Sequence, residues 1–233
     1  NHQFLKNYKS KAIKRVYIPK CGSAKLRPLG IPTLLDRVIQ KMFQLVIDPA
    51  VDVFGDPNSY GFRKHRSCHN AIGALASRLA KASEKFLIIN MDIEKFFDTI
   101  DHKWIQVHFP MPTGFENVLE SWLCSGVLEG SSFYLNEYEV LQGGIISPLI
   151  ANFTLDGLET AAFRGVTKSV TIIDSDNNKK VLDLRFGLVR YADDFIIVLN
   201  HPRNLELIKK NVEKFLNIRG LQINKKKSKD ILK

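Results

Sequence analysis

Between Asn1 and Leu35 the chain has no acidic residue, while Lys6, Lys9, Lys11, Lys14, Arg15, Lys20, Lys25 and Arg27 crowd the same stretch. Acids are short overall as well: 24 against 34 basic residues, a formal charge of +10. Such a field favours a polyanion, most simply nucleic acid, and on charge alone a merely solvated basic surface explains it equally well. Cysteine is scarce. Cys21, Cys68 and Cys124 stand far apart, with no C-x-x-C pair and no secretory signal ahead of them, which speaks against a disulfide framework and for a reducing compartment. No stretch approaches the roughly 18 apolar residues of a spanning helix, so no membrane is expected among the partners. Internal repeats, low-complexity tracts and Pro/Gly-rich terminal linkers are also missing. The chain opens "NHQFLKNYKS" without a methionine and stops in "NKKKSKDILK", so both ends are expected to be cuts in a longer protein.

What is present is 233 residues, 45% of them hydrophobic, enough for one large domain or two small ones with a real core. "TLLDRVIQKMFQLVI" carries Leu35, Val38, Ile39, Met42, Phe43 and Val46 at helical spacing, with Thr33 and Asp36 placed like a capping box. "SCHNAIGALASRLAKA" repeats the pattern with Ile72, Leu75, Ala76 and Leu79 behind a Ser67 cap. "FLIINMDI" reads as a buried strand ending at Asp92. Pro148 sits where a first helical residue is favoured, and "PLIANFTLDGLETAAF" continues as one helix. Around "SDNNKK" a hairpin tip is expected, then two β-type runs, "LRFGLVRY" and "FIIVLN", joined through Ala192, Asp193 and Asp194. A helix follows with Leu205, Ile208, Val212, Phe215 and Leu216 on one face, Asn204 as cap and Gly220 as stop, before a last strand "LQIN".

From Phe86 onward the order is strand, helix, strand, strand, helix, strand, the split βαβ arrangement. Its first and third strands are antiparallel neighbours at the centre, which brings Asp92 beside the turn holding Asp193 and Asp194. An Asp-Asp pair in a hairpin is ordinarily a solvated turn. Here three acids converge on a partly apolar edge, so either their pKa values rise or something positive sits among them. A divalent cation answers this: carboxylates and a backbone carbonyl are hard oxygen ligands, and few protein ligands plus substrate phosphates is how Mg²⁺ is commonly held. Two such ions could activate a 3′ hydroxyl and stabilise leaving pyrophosphate.

"YADD" at 191–194, with "NMDIEKFFDTIDH", "QGGIISPLIANFTLDGLE" and "KLRPLGIPTLLDRVIQ", resembles the reverse transcriptases, most closely those encoded by group II introns and called maturases. The four motifs stand in family order from about Lys14 to Lys229, nearly the whole chain. The resemblance implies an α+β right-hand polymerase: fingers with a basic arm over 1–83, palm over 84–104, a connection over 105–140, and palm again over 141–233. The palm would be a split βαβ (ferredoxin- or RRM-like) antiparallel sheet with helices on one face, and the thumb or maturase domain would be absent. Asp92 and Asp193 match the metal-binding acids, with Ile93 lending its carbonyl and Asp194 completing the catalytic turn, around two Mg²⁺ ions. Asp98 and Asp101 look like helix-start acids and are left out of the metal site.

The resemblance further implies a sugar-discriminating role for Phe97, whose ring would clash with a ribose 2′-OH; the neighbouring Phe96 and Phe97 alternate, and one of them must be core. Gln142 matches the family loop that contacts nucleotide and template, and Gly143 and Gly144 would permit close backbone approach. Lys25 and Arg27 match basic residues that clamp the triphosphate. Arg63, Lys64 and Arg66, in "YGFRKHRS", would track the template backbone, and Lys11, Lys14 and Arg15 would grip RNA. The partners implied are an RNA template and group II intron RNA, a DNA primer and deoxynucleotides; nothing in the sequence speaks for or against a homodimer. The setting implied is a bacterial cytoplasm or an organelle. An RNA-binding splicing cofactor without polymerase activity is the alternative. A split-βαβ nucleotide cyclase is a third reading, which would leave the first 80 or so residues without a role.

Overall fold

The structure is a computed structural model describing residues 2–19, 22, 24–80, 86–135, 143–173 and 179–232. In chain order the elements are α1 (His2–Lys6), β1 (Ile13–Pro19), β2 (Leu26–Ile31), α2 (Leu34–Phe54), α3 (Cys68–Ala80), β3 (Leu87–Met91), α4 (Phe96–Thr99), α5 (His102–His108), α6 (Glu116–Leu123), β4 (Val127–Glu129) and β5 (Ser132–Tyr134). They continue with α7 (Ser147–Leu155), α8 (Leu158–Ala162), β6 (Ser169–Ile173), β7 (Lys179–Asp183), β8 (Phe186–Tyr191), β9 (Asp194–Leu199), α9 (Leu205–Asn217) and β10 (Lys229–Leu232). The chain divides into two compact units, one of residues 1–54 and 95–154, the other of 55–94 and 155–233.

The first unit holds a four-stranded sheet in the order β2-β1-β4-β5. Its core gathers around α2 and α6, where Phe43 meets Phe115 and Trp122 edge-on, each at 5.5 Å between ring centres. The α2 periodicity is right and its face is shifted: Ile39 and Phe43 of the expected stripe are buried, together with Ile47, Val51, Asp36 and Gln40, whereas Leu35, Val38, Met42 and Val46 are about half exposed or more. An apolar pattern wider than one stripe does not say which edge turns inward. The buried polar residues decide it: Asp36 accepts from the Tyr8 hydroxyl and from Thr33 Oγ1, and Thr33 Oγ1 accepts from Asp36 N, so only half of the expected capping box forms.

The second unit is built on a four-stranded antiparallel sheet in the order β10-β3-β9-β8. This is the split βαβ order, with β3 and β9 central and antiparallel, as expected. Leu87, Ile89, Met91, Phe195, Ile197, Leu199 and Leu188 alternate onto one face and are buried there. Each such apolar side chain removed from water contributes about 1.5–3 kcal/mol. α8 packs on α9, and α3 on β8.

Several local expectations need correction. The last strand is Lys229–Leu232, paired with β3, and not "LQIN"; Ile223 of that segment makes only an isolated bridge to Ile93. The helix expected through residue 163 breaks between α7 and α8, where Gly157 adopts φ +88°, a conformation glycine takes at no steric cost. Ser67 does cap α3, exchanging bonds with Asn70, but Ile72 is 63% exposed and Ala71 is the buried residue. Asn204 does not cap α9; its amide clamps both backbone polar groups of Thr167. β6 and β7 form the expected hairpin, whose tip, 174–178, lies outside the described residues. Residues 55–80 lie in the second unit, where Asn58 and Tyr60 hydrogen-bond to Arg190 of β8. Residues 143–154 lie in the first unit, where Gln40 Oε1 accepts from Ile145 N at 2.8 Å.

Candidate active site

The acids meet at one end of the second unit's sheet. The β3–β9 ladder closes with Met91 opposite Phe195, and Asp92 is the next residue along, in line with Asp194. β8 and β9 are joined by a two-residue loop, Ala192 and Asp193, flanked by the Tyr191–Asp194 pair. Ala192 has φ +57°, a left-handed conformation that costs a non-glycine residue about 1–2 kcal/mol and is retained where the surroundings enforce it. Asp92 and Asp193 are half-buried and Asp194 is exposed.

The segment "NKKKS", 224–228, wraps Asp92. Asn224 N donates to Asp92 O at 2.8 Å, Asp92 N donates to Ser228 Oγ at 3.4 Å, and Lys227 Nζ stands 3.0 Å from Asp92 Oδ2. That carboxylate oxygen is shut off from solvent, and the ammonium approaches it without the alignment of a hydrogen bond. The Lys227 pKa is raised, first by Asp92 and then by the fields of Asp194 and Asp193. A cation is thus paired with Asp92, at the strand end in line with Asp194. The sequence calls for something positive among the acids, and Lys227 stands in a lysine run where neither motif nor spacing singles it out.

The Ile223–Ile93 bridge is a pair whose hydrogen bonds run through Asp92 O and Glu94 N, which leaves the Ile93 carbonyl directed out of the ladder. Among the described residues no three His, Cys, Asp or Glu side chains are grouped closely enough to hold a metal unaided. Two carboxylates, a carbonyl and substrate oxygens would be the donor set, and that suits Mg²⁺, which keeps few protein ligands.

Lys25, Arg27 and Phe97 lie in the first unit. Phe96 is core at 3% exposure; Phe97 is half-buried with its ring edge-on to Phe96 at 5.1 Å. Gln142 lies outside the described residues; the adjacent Gly143 lies against the carbonyl of Gly30 in β2. Lys11, Lys14 and Arg27 are exposed. The β1–β2 register puts Lys14 and Arg27 on one face of the sheet, with Arg15, half-buried, on the other. Arg63 is not available to a template: its side chain is 3% exposed, pairs with Asp156 at 2.5 Å and donates to Ser59 Oγ. Arg66 donates to the carbonyls of Pro57 and Ser59, while Lys64 is exposed. A cleft of about 620 Å³ in the first unit, between residues 7–12 and α6, includes none of the expected site residues.

The family profile described as reverse transcriptase (RNA-dependent DNA polymerase) matches residues 18–233. The chain is 34% identical over 155 residues to protein YkfC of Escherichia coli, covering 64% of this chain and 40% of that one. It is 32% identical over 155 residues to the group II intron-encoded protein LtrA of Lactococcus lactis subsp. cremoris, covering 65% and 25%. It is 25% identical over 264 residues to the putative COX1/OXI3 intron 1 protein of Saccharomyces cerevisiae, covering 95% and 31%. The chain thus spans 25% to 40% of the length of these relatives. Telomerase from Candida albicans superposes with a TM-score of 0.69 at 14% identity, covering 97% of this chain and 42% of that one. Apo telomerase from Candida tropicalis does so at 0.68 and 16%, covering 96% and 50%. The fold is that of the right-hand polymerases, and the match over all but the first 17 residues makes this chain a member of the reverse transcriptase family.

Proposed function

We propose that this chain is the fingers and palm of a group II intron-encoded RNA-directed DNA polymerase, which adds deoxynucleotides to a primer 3′ end. The observation that carries the reading is the register of the split βαβ sheet, which sets Asp92 in line with Asp194 beside the Ala192–Asp193 loop, with a lysine paired to Asp92. The similarity to the intron-encoded proteins of Lactococcus and yeast supports the intron assignment and a bacterial or organellar setting. Among the described residues no helix is long and apolar enough to cross a membrane.

Asp92 and Asp193 would hold two Mg²⁺ ions together with the Ile93 carbonyl. When bound, the ions lower the pKa of the primer hydroxyl and neutralise charge on the leaving pyrophosphate. Asp194 adds negative field at the turn. Lys25 and Arg27, exposed at and beside the start of β2, offer charge-assisted donors to the triphosphate. Phe97 is accessible enough to sit under the sugar of an incoming deoxynucleotide, since Phe96 fills the core. Gln142 is assigned to the nucleotide and template on its motif alone.

The deciding experiment is single-nucleotide extension of a DNA primer on an RNA template with Mg²⁺, offering deoxyribo- or ribonucleotides, beside Asp193→Ala. Extension by the wild type with deoxynucleotides, lost in Asp193→Ala while RNA affinity stays, supports the reading; equal turnover in the variant would sink the metal assignment. A second reading, an RNA-binding splicing cofactor, is favoured by the acid-free stretch before Asp36 and the exposed Lys11 and Lys14. Tight intron RNA binding without nucleotide addition would select it.

A further inference from the structure

Arg190 is the residue of the second unit that packing alone explains least. It lies on the core-facing side of β8, opposite Phe195, two residues beyond the buried Leu188, and its side chain has no solvent exposure. A buried guanidinium is costly to desolvate, and an apolar side chain of similar volume would pack as well or better. Burial draws its pKa down to about 10 against the pull of Asp156 and Asp56, so it stays cationic at neutral pH.

Its contacts supply the reason. Nη2 donates to Asp156 Oδ1 at 2.7 Å, and Nη1 donates to the carbonyl of Ala192 at 3.3 Å. That carbonyl belongs to the peptide leading into Asp193, so the guanidinium grips the plane from which the acid departs. On its other side the turn rests on the segment 58–61. Arg190 N donates to Asn58 O and Tyr60 N donates to Arg190 O, both at 2.9 Å. Gly61 lies so close that a Cβ there would stand 2.3 Å from Ala192 N. Arg63 then brings the end of this segment to the same Asp156 oxygen that Arg190 holds, and Asp56 N approaches it at 3.4 Å. One carboxylate oxygen, at the break between α7 and α8, thus ties the strand before the turn to the segment beneath it.

We propose that Arg190 and Asp156 are positioning residues for nucleotidyl transfer: through the Ala192 carbonyl and the segment ending at Arg63 they hold the left-handed turn that presents Asp193 beside Asp92. The proposal rests on the polymerase reading and goes beyond it by assigning the catalytic geometry to a buried ion network that never meets substrate.

The test uses Arg190→Met combined with Asp156→Asn, which removes both charges of the pair; because Arg63 then loses its carboxylate partner as well, folding of this variant is read first from its thermal midpoint. Arg190→Lys is the second variant, keeping the charge for Asp156 while losing the planar fork that also reaches Ala192. Mn²⁺ affinity is read by electron paramagnetic resonance in the wild type, Asp193→Asn and both variants, beside thermal midpoints, kcat and nucleotide KM. The expected result is Mn²⁺ binding weakened by about 10- to 100-fold, as when partners of metal ligands are removed. A kcat lowered by about 100-fold per folded molecule should accompany it, with KM little changed. Wild-type Mn²⁺ affinity and kcat in a folded double variant, or in Arg190→Lys should the double variant not fold, overturn the positioning role alone. A wild type that binds Mn²⁺ no better than Asp193→Asn overturns the acid-cluster reading itself, and this proposal with it.

Discussion

Lys227 Nζ stands 3.0 Å from Asp92 Oδ2, and it feels Asp194 and Asp193 as well. The ammonium therefore occupies the field that a divalent ion would share. Its side chain is 61% exposed, so the pair is screened and modest in strength. Its raised pKa sets the sign of its pH dependence: the stabilisation is complete below the ordinary lysine value and fades as pH climbs through the raised one.

Replacing Lys227 by Met should take the paired ammonium away from Asp92 until metal arrives. The thermal midpoint without metal should fall by about 1–3 °C, the size expected of an exposed pair in a chain of this length. The further rise on adding Mg²⁺ should exceed the wild-type rise. Equal Mg²⁺-induced shifts in the two proteins would show that lysine and metal do not share a site.

Phe96 and Phe97 divide their labour, the first in the core and the second half-buried against it. Phe97→Ala should therefore be tolerated by the fold while opening space for a 2′-OH. Ribonucleotide use relative to deoxyribonucleotide use should rise by about 10-fold or more, since a steric sieve of this kind is worth a few kcal/mol. Competition assays with mixed nucleotides measure it, and an unchanged ratio would remove Phe97 from the sugar gate.

The basic arm separates into residues that face together and residues that do not. Lys14 shares its sheet face with Arg27, whereas Arg15 points to the other face. Neutralising Lys11 and Lys14 should flatten the dependence of log RNA affinity on log salt by about 0.7–0.9 of slope per lost phosphate contact. Neutralising Arg15 alone should change the slope less. Equal effects from Lys14 and Arg15 would mean that the sheet face does not define the RNA track.

What was legible in the sequence was what repeats with the period of its element. β3 and β9 alternate or run apolar over a full strand length, so their central, antiparallel pairing and the meeting of Asp92 with the turn of Asp193 and Asp194 follow from element order. β10 was misplaced because "KDIL", paired on one side only, lacks the apolar alternation that "LQIN" imitates. The exposed Leu35 stripe of α2 shows a related limit: Asp36 and Gln40 turn the helix by their hydrogen bonds, which hydrophobic spacing does not register. Arg63, expected on the template backbone, is an internal ion partner of Asp156, and Lys227, which no motif singles out, lies on Asp92. Charge type is written in the sequence; the partner of a charge is set by tertiary packing.

Gly61 offers the sharpest steric probe of the Ala192–Asp193 turn. A methyl group at this position would stand 2.3 Å from Ala192 N and 2.9 Å from Ala192 Cα, contacts with backbone that no rotamer change relieves. Gly61→Ala must push the segment away from the turn or the turn away from the segment. Overpacking of this kind costs about 1–3 kcal/mol, readable in a urea melt. Were the cost confined to stability, activity in the remaining folded protein would be that of the wild type. Because the displaced atoms belong to the residue before Asp193, turnover per folded molecule should instead fall by about 100-fold. Gly61→Ser should behave alike, since its Cβ meets the same atoms. Full specific activity in either variant would mean that the turn holds its shape without the support of residues 58–61.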